Sequence, residues 1–199
     1  MRLIVLPLLP LLLCYAPALA GITSEYTTLD LEKCVTIDKP TEPEEPWVVL
    51  GCKGYKNDPA YGIVYHEDDL RGSFSVGKNP REHCAASFSF SGFNSPGKTI
   101  EWRLNDGKPF ATILRWTVSI DNDGKPREQQ WLAVTKLEAD NSCPAAYIEA
   151  AMPKANEKAR EAADRVLTGF TCGTDAIEVI KRQKTSLEGV PNGSSCKGE

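Results

Sequence analysis

The chain has 199 residues, which fits one compact domain by a soft prior of about 100–200 residues. Its 41% apolar and 25% charged content excludes a wholly disordered or collagen-like polymer. A formal charge of −4 lacks the basic excess of a dedicated nucleic-acid binder, so nucleic acid is not an expected partner.

The first twenty residues read as a secretory leader. Met1-Arg2 supplies a positive charge, and residues 3–15 form a Leu/Ile/Val-rich run broken at Pro7 and Pro10. Ala18-Leu-Ala20 offers small residues at the −3 and −1 positions of a cleavage site. The run is too short and too interrupted for a membrane span of about 20 apolar residues. Cleavage after Ala20 removes one charged residue, Arg2, and leaves 22 Lys+Arg against 27 Asp+Glu, a charge of −5. No transmembrane segment is expected in residues 21–199.

Setting aside Cys14 leaves Cys34, Cys52, Cys84, Cys143, Cys172 and Cys196. An even number in an exported chain reads as disulfides. There is no C-x-x-C pair, and neither His66 nor His83 stands at ligand spacing from cysteines, so no metal site is expected. Local geometry favours Cys34–Cys52, closing the Pro/Glu-rich stretch 39–46, and Cys143–Cys172, clipping a strand to the end of a helix. Cys84 and Cys196 are left over, and a bridge between them is not forced.

Short β-rich stretches are predicted at 27–37, 47–52, 61–66, 72–76 and 85–90. The strongest signal comes next along the chain. Ile100, Trp102 and Leu104 share one parity and Glu101 and Arg103 the other, while Phe110, Thr112, Leu114, Trp116, Val118 and Ile120 continue a period of two. Asn105-Asp-Gly-Lys-Pro109 recurs as Asn122-Asp-Gly-Lys-Pro126, and Asn, Asp and Gly accept the positive φ of tight hairpins. Three consecutive strands, near 98–104, 109–120 and 129–137, are therefore expected, with another at 144–150.

The period then becomes 3.6. Ala155, Ala159, Ala162, Ala163, Val166, Leu167 and Phe170 form one stripe of a helix, begun near Pro153 and ended at Gly169, with Glu161 and Arg165 spaced to pair. A second short helix is expected at 174–182. The predicted fold is α+β and β-rich: an antiparallel sheet curled into a sandwich or partial barrel, stapled by disulfides, with one C-terminal amphipathic helix packed on it. Residues 1–20 are the signal peptide, 21–182 a single globular domain and 183–199 a flexible tail.

The fingerprints G-x-G-x-x-G, H-E-x-x-H and G-x-S-x-G are absent, and no cofactor is expected. His66-Glu-Asp-Asp-Leu-Arg71 is the densest polar cluster; it reads as a solvated turn, with a general base beside a carboxylate as the catalytic alternative. His83 beside Cys84 invites a nucleophile reading, but adjacent strand side chains diverge and an exported cysteine ends in a disulfide. If the first hairpin pairs Trp102 with Phe110, Glu101 sits opposite Ala111, and Arg103 and Arg115 share its face. Two guanidiniums and a carboxylate there suit an anionic group held in bidentate fashion, against the plainer reading of a cross-strand ion pair on a wet face. On that reading Arg103→Ala and Arg115→Ala weaken a partner interaction and barely move stability. Of the four tryptophans, most are expected in the core.

The stretches Tyr26-Thr-Thr-Leu-Asp-Leu-Glu-Lys-Cys34, Gly51-Cys-Lys-Gly-Tyr55, Asp69-Leu-Arg71, Thr99-Ile-Glu-Trp-Arg-Leu104, 108–116 and Cys143-Pro-Ala-Ala-Tyr-Ile148 carry a resemblance. Together they resemble an uncharacterised family of small exported alphaproteobacterial proteins, over roughly residues 26–172. The resemblance implies a bacterial periplasmic or secreted protein and brings no activity or site residue. Its pattern uses cysteines like Cys34, Cys52, Cys143 and Cys172, from which Cys84 and Cys196 depart. The expected role is a non-catalytic binding or envelope-accessory module, whose partner is a small ligand or an envelope protein. The alternative is a periplasmic hydrolase acting on an envelope substrate through the His66–Asp69 segment.

Overall fold

The Asn105-Asp-Gly-Lys-Pro109 turn sits within a β-meander that forms the middle of three layers; the second copy of that turn, at 123–124, lies outside the described residues. The computed structural model describes residues 21–42, 44–122, 125–187, 189–191 and 196; the predicted leader lies outside them. In chain order the strands are β1 (Ile22–Thr28), β2 (Val35–Asp38), β3 (Trp47–Cys52), β4 (Gly62–Asp68), β5 (Arg71–Gly77), β6 (Asn94–Asn105), β7 (Lys108–Asn122), β8 (Lys125–Leu137) and β9 (Ser142–Glu149). The helix α1 (Ala155–Gly169) and a short strand β10 (Glu178–Ile180) follow. One sheet has the order β1-β6-β7-β8-β9-β10 and the other β2-β3-β4-β5, all antiparallel except β10, which runs parallel to β9. Neither sheet closes into a barrel, and the β-rich fold with one packed helix is the one expected.

The first hairpin is a two-residue turn. Asn105 pairs with Lys108, and Asp106 and Gly107 both take positive φ, as a type I′ turn requires. Its register differs from expectation: Trp102 lies opposite Thr112, Glu101 opposite Ile113 and Arg103 opposite Ala111, with Leu104 opposite Pro109. Phe110 is the extra residue of a bulge, which turns it onto the same face as Ala111. Parity otherwise holds. Ile100, Trp102, Leu104, Leu114, Trp116 and Val118 face the second sheet, meeting Ile63, Tyr65, Phe74 and Val76 in one core. The opposite parity, including Ile113, Leu132 and Val134, meets the alanine stripe of α1 in a second core. Alanine lets the helix axis lie close to the sheet.

Several local expectations are corrected. Residues 27–37 break into β1 and β2 around a 3₁₀ turn at Leu31–Lys33, because Leu29 is drawn into the core. Residues 85–90 are not a strand; Cys84–Ser87 is a 3₁₀ turn held by Asn141 accepting from the Cys84 N–H and by the Ser73 hydroxyl donating to the Ala86 carbonyl. Residues 174–182 contain β10 instead of a helix, because Ile177 and Val179 turn to one core and Ile180 to the other, the alternation of a strand. Arg165 pairs with Glu178 on β10 at 2.5 Å.

Three disulfides are present: Cys34–Cys52, Cys143–Cys172 and Cys84–Cys196. Of the described residues after 183, Gly189, Val190 and Cys196 contact the domain. Ser91 N–H donates to the Gly189 carbonyl, Val190 enters the core between the sheets, and Cys196 is bonded to Cys84.

Glu149, buried at the end of β9, anchors the start of that segment. It accepts from the Arg182 backbone N–H at 2.8 Å, from the Arg182 guanidinium and from the Thr185 hydroxyl at 2.8 Å. Burial pushes its carboxyl up, but the Arg182 and Thr185 donors outweigh burial and hold it below its ordinary value of 4.5. A depressed folded-state value means that this stabilisation is complete above 4.5 and is lost as pH falls through the lower folded value. Glu149→Gln is expected to cost about 1.5–3 kcal/mol at neutral pH and to flatten the acid-side loss of stability. Amide exchange at residues 182–187 against pH reads both effects; an unchanged acid limb in the variant contradicts this role for Glu149.

Candidate functional site

The parity that buries Trp102 between the sheets sends Glu101 and Arg103 to the other face, beneath α1. There Arg103 donates Nε to Asp164 Oδ1 at 2.8 Å and Nη2 to both Asp164 oxygens at 2.7 Å, while Nη1 donates to Ser24 Oγ at 2.5 Å. Ser24 in turn donates to Glu101 Oε1 at 2.6 Å. Arg160, one helical turn before Asp164, donates Nε to the same oxygen at 2.6 Å and Nη2 to Glu101 Oε2 at 3.3 Å and the Tyr26 hydroxyl at 3.1 Å. The Glu101 hydrogen bond holds the Arg160 guanidinium above its already high ordinary value. These groups tie β1, β6 and α1 together. Of the two guanidiniums expected to bind an anion, Arg103 has a bidentate carboxylate of its own, and its side chain is 8% exposed.

Arg115 is the third candidate and has a different environment. It lies opposite Leu132 on the same face, beyond the end of the helix-bound network, and Nη1 makes one long contact, 3.3 Å, to Gln130 Oε1. A groove of about 260 Å³ opens beside it. Its lining includes the apolar Ile113 and Leu132, the polar Tyr26, Asn156 and Arg160, and the backbone stretch at Gly97 beside Arg115. Gly97 belongs to a bulge in β6, where a Cβ would stand 3.3 Å from both Arg115 Cβ and Arg115 O. Its bare backbone keeps that side open.

Lys98 was not among the residues singled out by sequence. It belongs to Gly92-Phe-Asn-Ser-Pro-Gly-Lys-Thr99, which has the spacing G-x-x-x-x-G-K-[ST] of a phosphate-cradling P-loop, a match that the sequence reading above missed. The structure does not build that loop. Residues 94–99 are extended within β6, no helix follows, and neither Gly92 nor Gly97 takes positive φ. The stretch borders the groove at Gly97, Lys98 and Thr99.

The other candidates are accounted for structurally. His66 lies in β4, and Asp69 and Leu70 form the two-residue turn to β5, with Arg71 reaching back to Asp69 and stacking on Phe93. His83 is buried and separated in role from Cys84. Its Nε2–H donates to the Lys78 carbonyl at 2.8 Å, so Nδ1 accepts from the Ser142 hydroxyl at 3.1 Å, while Ser142 Oγ accepts from Val76 N–H. That chain joins β5, the following loop and β9. Trp102, Trp116 and Trp131 are core residues, and Trp47 is half-buried on the smaller sheet. Among the described residues no three His, Cys, Asp or Glu side chains gather as a metal site.

Two other spaces lack the means to orient a ligand. A void of about 20 Å³ lies between the sheets among Phe90, Trp116 and Tyr147. A wider groove of about 440 Å³ beside Ala145, Ala162 and Val166 has Arg165 and Glu178 on its rim, where they neutralise each other. Among the described residues no helix is long and apolar enough to cross a membrane. No protein-family model matches the chain, and no curated protein or solved structure is similar to it.

Proposed function

We propose that this is an exported, non-catalytic binding protein that holds a small organic anion in the groove between α1 and the six-stranded sheet. The observation that carries the reading is Arg115 beside the apolar side chains of Ile113 and Leu132, in a protein whose net charge is −4. Arg115 keeps a guanidinium fork with one weak protein contact, which suits bidentate recognition of a carboxylate or phosphate, and Ile113 and Leu132 offer apolar area for the rest of the ligand. The leader-like first twenty residues and three disulfides support residence in an oxidising compartment, periplasmic or extracellular.

Protein recovered from the exported fraction, with an intact mass reporting cleavage after Ala20, is titrated calorimetrically with a panel of small carboxylates and phosphates. The wild type is expected to bind members of the panel, and Arg115→Ala to weaken that binding about tenfold or more while leaving the unfolding midpoint within about 0.5 kcal/mol. Binding that survives in Arg115→Ala removes the groove as the site.

A further inference from the structure

We infer that the outer edge of β1 is a homodimer interface, where two copies of this chain pair β1 against β1, antiparallel about a two-fold axis at Ser24. The pairing joins their two six-stranded sheets into one continuous sheet.

The two sheets of the protein have four edges, and three of them are short or covered. β10 has three residues, and β2 has four with a register shift between Thr36 and Asp38. β5 is bridged at Ser73 to Ser89 and flanked by 3₁₀ turns at Pro80–Glu82 and Cys84–Ser87. The Ser75 and Ser73 hydroxyls donate to the Pro80 and Ala86 carbonyls of those turns. β1 differs: it has seven residues, an unbroken register against β6, and no proline, lysine or arginine. Bulges, prolines, lysines and short length are the devices that keep an exposed edge from pairing with another chain. β1 has none of them, and its one charge, Glu25, is paired with Lys56 at 3.3 Å.

The backbone groups on that edge follow from the ladder on the other side. Leu29 N–H donates to the Lys98 carbonyl at 2.9 Å, in register with β1 and β6, so the odd-numbered residues of β1 make its bonds to β6. The N–H and C=O groups of Ile22, Ser24, Tyr26 and Thr28 therefore point to the open edge, which no other strand among the described residues joins. A second β1 running antiparallel meets them with the same set of groups.

The side chains select the partner and the register. Ile22 and Tyr26 are 38% and 55% exposed and stand on one face of β1, with Ser24 midway between them. A two-fold axis at Ser24 lays Ile22 of each copy beside Tyr26 of the other, a cross-strand pair of β-branched and aromatic residues made twice. The same axis sets Glu25 opposite Thr23. An axis at Glu25 would bring two carboxylates face to face, and an axis at Tyr26 leaves Ile22 with no residue of β1 opposite it. With its axis at Ser24 the strand is its own complement in hydrogen bonds, apolar contact and charge. Pairing over residues 22–26 is well short of the roughly 20–30 residues a side of a standard interface, so a dissociation constant in the micromolar range is expected.

Sedimentation equilibrium of the full mature chain from about 1 to about 500 µM reads the association. A monomer–dimer equilibrium is expected, and Ile22→Asp is expected to weaken it about tenfold or more by setting a carboxylate against the Tyr26 ring of the other copy. Val35→Asp, at an exposed position on β2, is expected to leave it unchanged. Thermal unfolding of both variants confirms that the fold is kept. Register is read by mixing Thr23→Cys with Glu25→Cys under mild oxidation, since Cys34, Cys52, Cys84, Cys143, Cys172 and Cys196 are already bonded. A disulfide-linked heterodimer is expected in higher yield than the homodimer of either variant alone. A chain that stays monomeric across the range overturns the inference, as does a dimer indifferent to Ile22→Asp. A dimer that Ile22→Asp weakens, but in which Glu25→Cys alone cross-links best, overturns the axis at Ser24 and keeps the edge as the interface.

Discussion

Arg103→Ala is expected to destabilise the protein by about 3 kcal/mol, in the lower part of the range for breaking a buried ion pair. The guanidinium is 8% exposed, and its three nitrogens serve Asp164 and Ser24. Truncation leaves Asp164 facing an apolar layer without its partner and removes the donor that orients Ser24 toward Glu101. Asp164 retains 34% exposure, so water recovers part of its solvation and the loss does not reach the top of the range. Urea denaturation reads the change. The double variant Arg103→Met with Asp164→Leu is expected to recover most of it, because an apolar pair of similar volume avoids the desolvation of two charges. An Arg103→Ala midpoint equal to wild type contradicts the structural tie and restores the residue as a candidate for binding.

Trp102→Ala is expected to cost about 3–5 kcal/mol, a large share of the roughly 5–15 kcal/mol that stabilises a domain of this size. Trp102 is fully buried between the sheets, with Tyr55 and Tyr61 rings at 5.5 and 6.3 Å and its indole N–H donated to Thr27 Oγ1 at 2.7 Å. Removing the ring opens a cavity that β6 is poorly placed to collapse into, since β1 and β7 hold it on both sides. The same change leaves the Thr27 hydroxyl without its donor. Trp102→Phe keeps most of the apolar volume and loses the hydrogen bond, so its cost is expected to fall between wild type and alanine. A loss below about 1 kcal/mol for Trp102→Ala would falsify the placement of this residue at the junction of the two sheets.

Much of the middle layer was legible in the sequence because its signals are local. Alternation at 100–104 and 114–120, Asp106-Gly107 at a tight turn and the alanine stripe of α1 each need only a few neighbouring residues to express a preference. The register of the first hairpin was less legible. A bulge at Phe110 changes the pairing without disturbing the alternation on either side of it. Residues 174–182 read as helix for a related reason: the short apolar run within them carries no period of its own, and the open edge of β9 gave it a strand to join.

The site divides in the same way. Sequence alone places Glu101, Arg103 and Arg115 on one face, because strand parity is a property of the backbone. It also carries Lys98, in a spacing that the fold does not turn into a loop. Which of these charges are engaged is a matter of tertiary packing. The bonds that occupy Glu101 and Arg103 come from Arg160, Asp164 and Ser24, residues 59 to 79 positions away in the chain. Pairing at that separation depends on where α1 comes to rest, and the fit of its alanines to the sheet brings its charges within reach of β6. Arg115 stays available because it lies just past the part of the sheet that the helix-bound network covers.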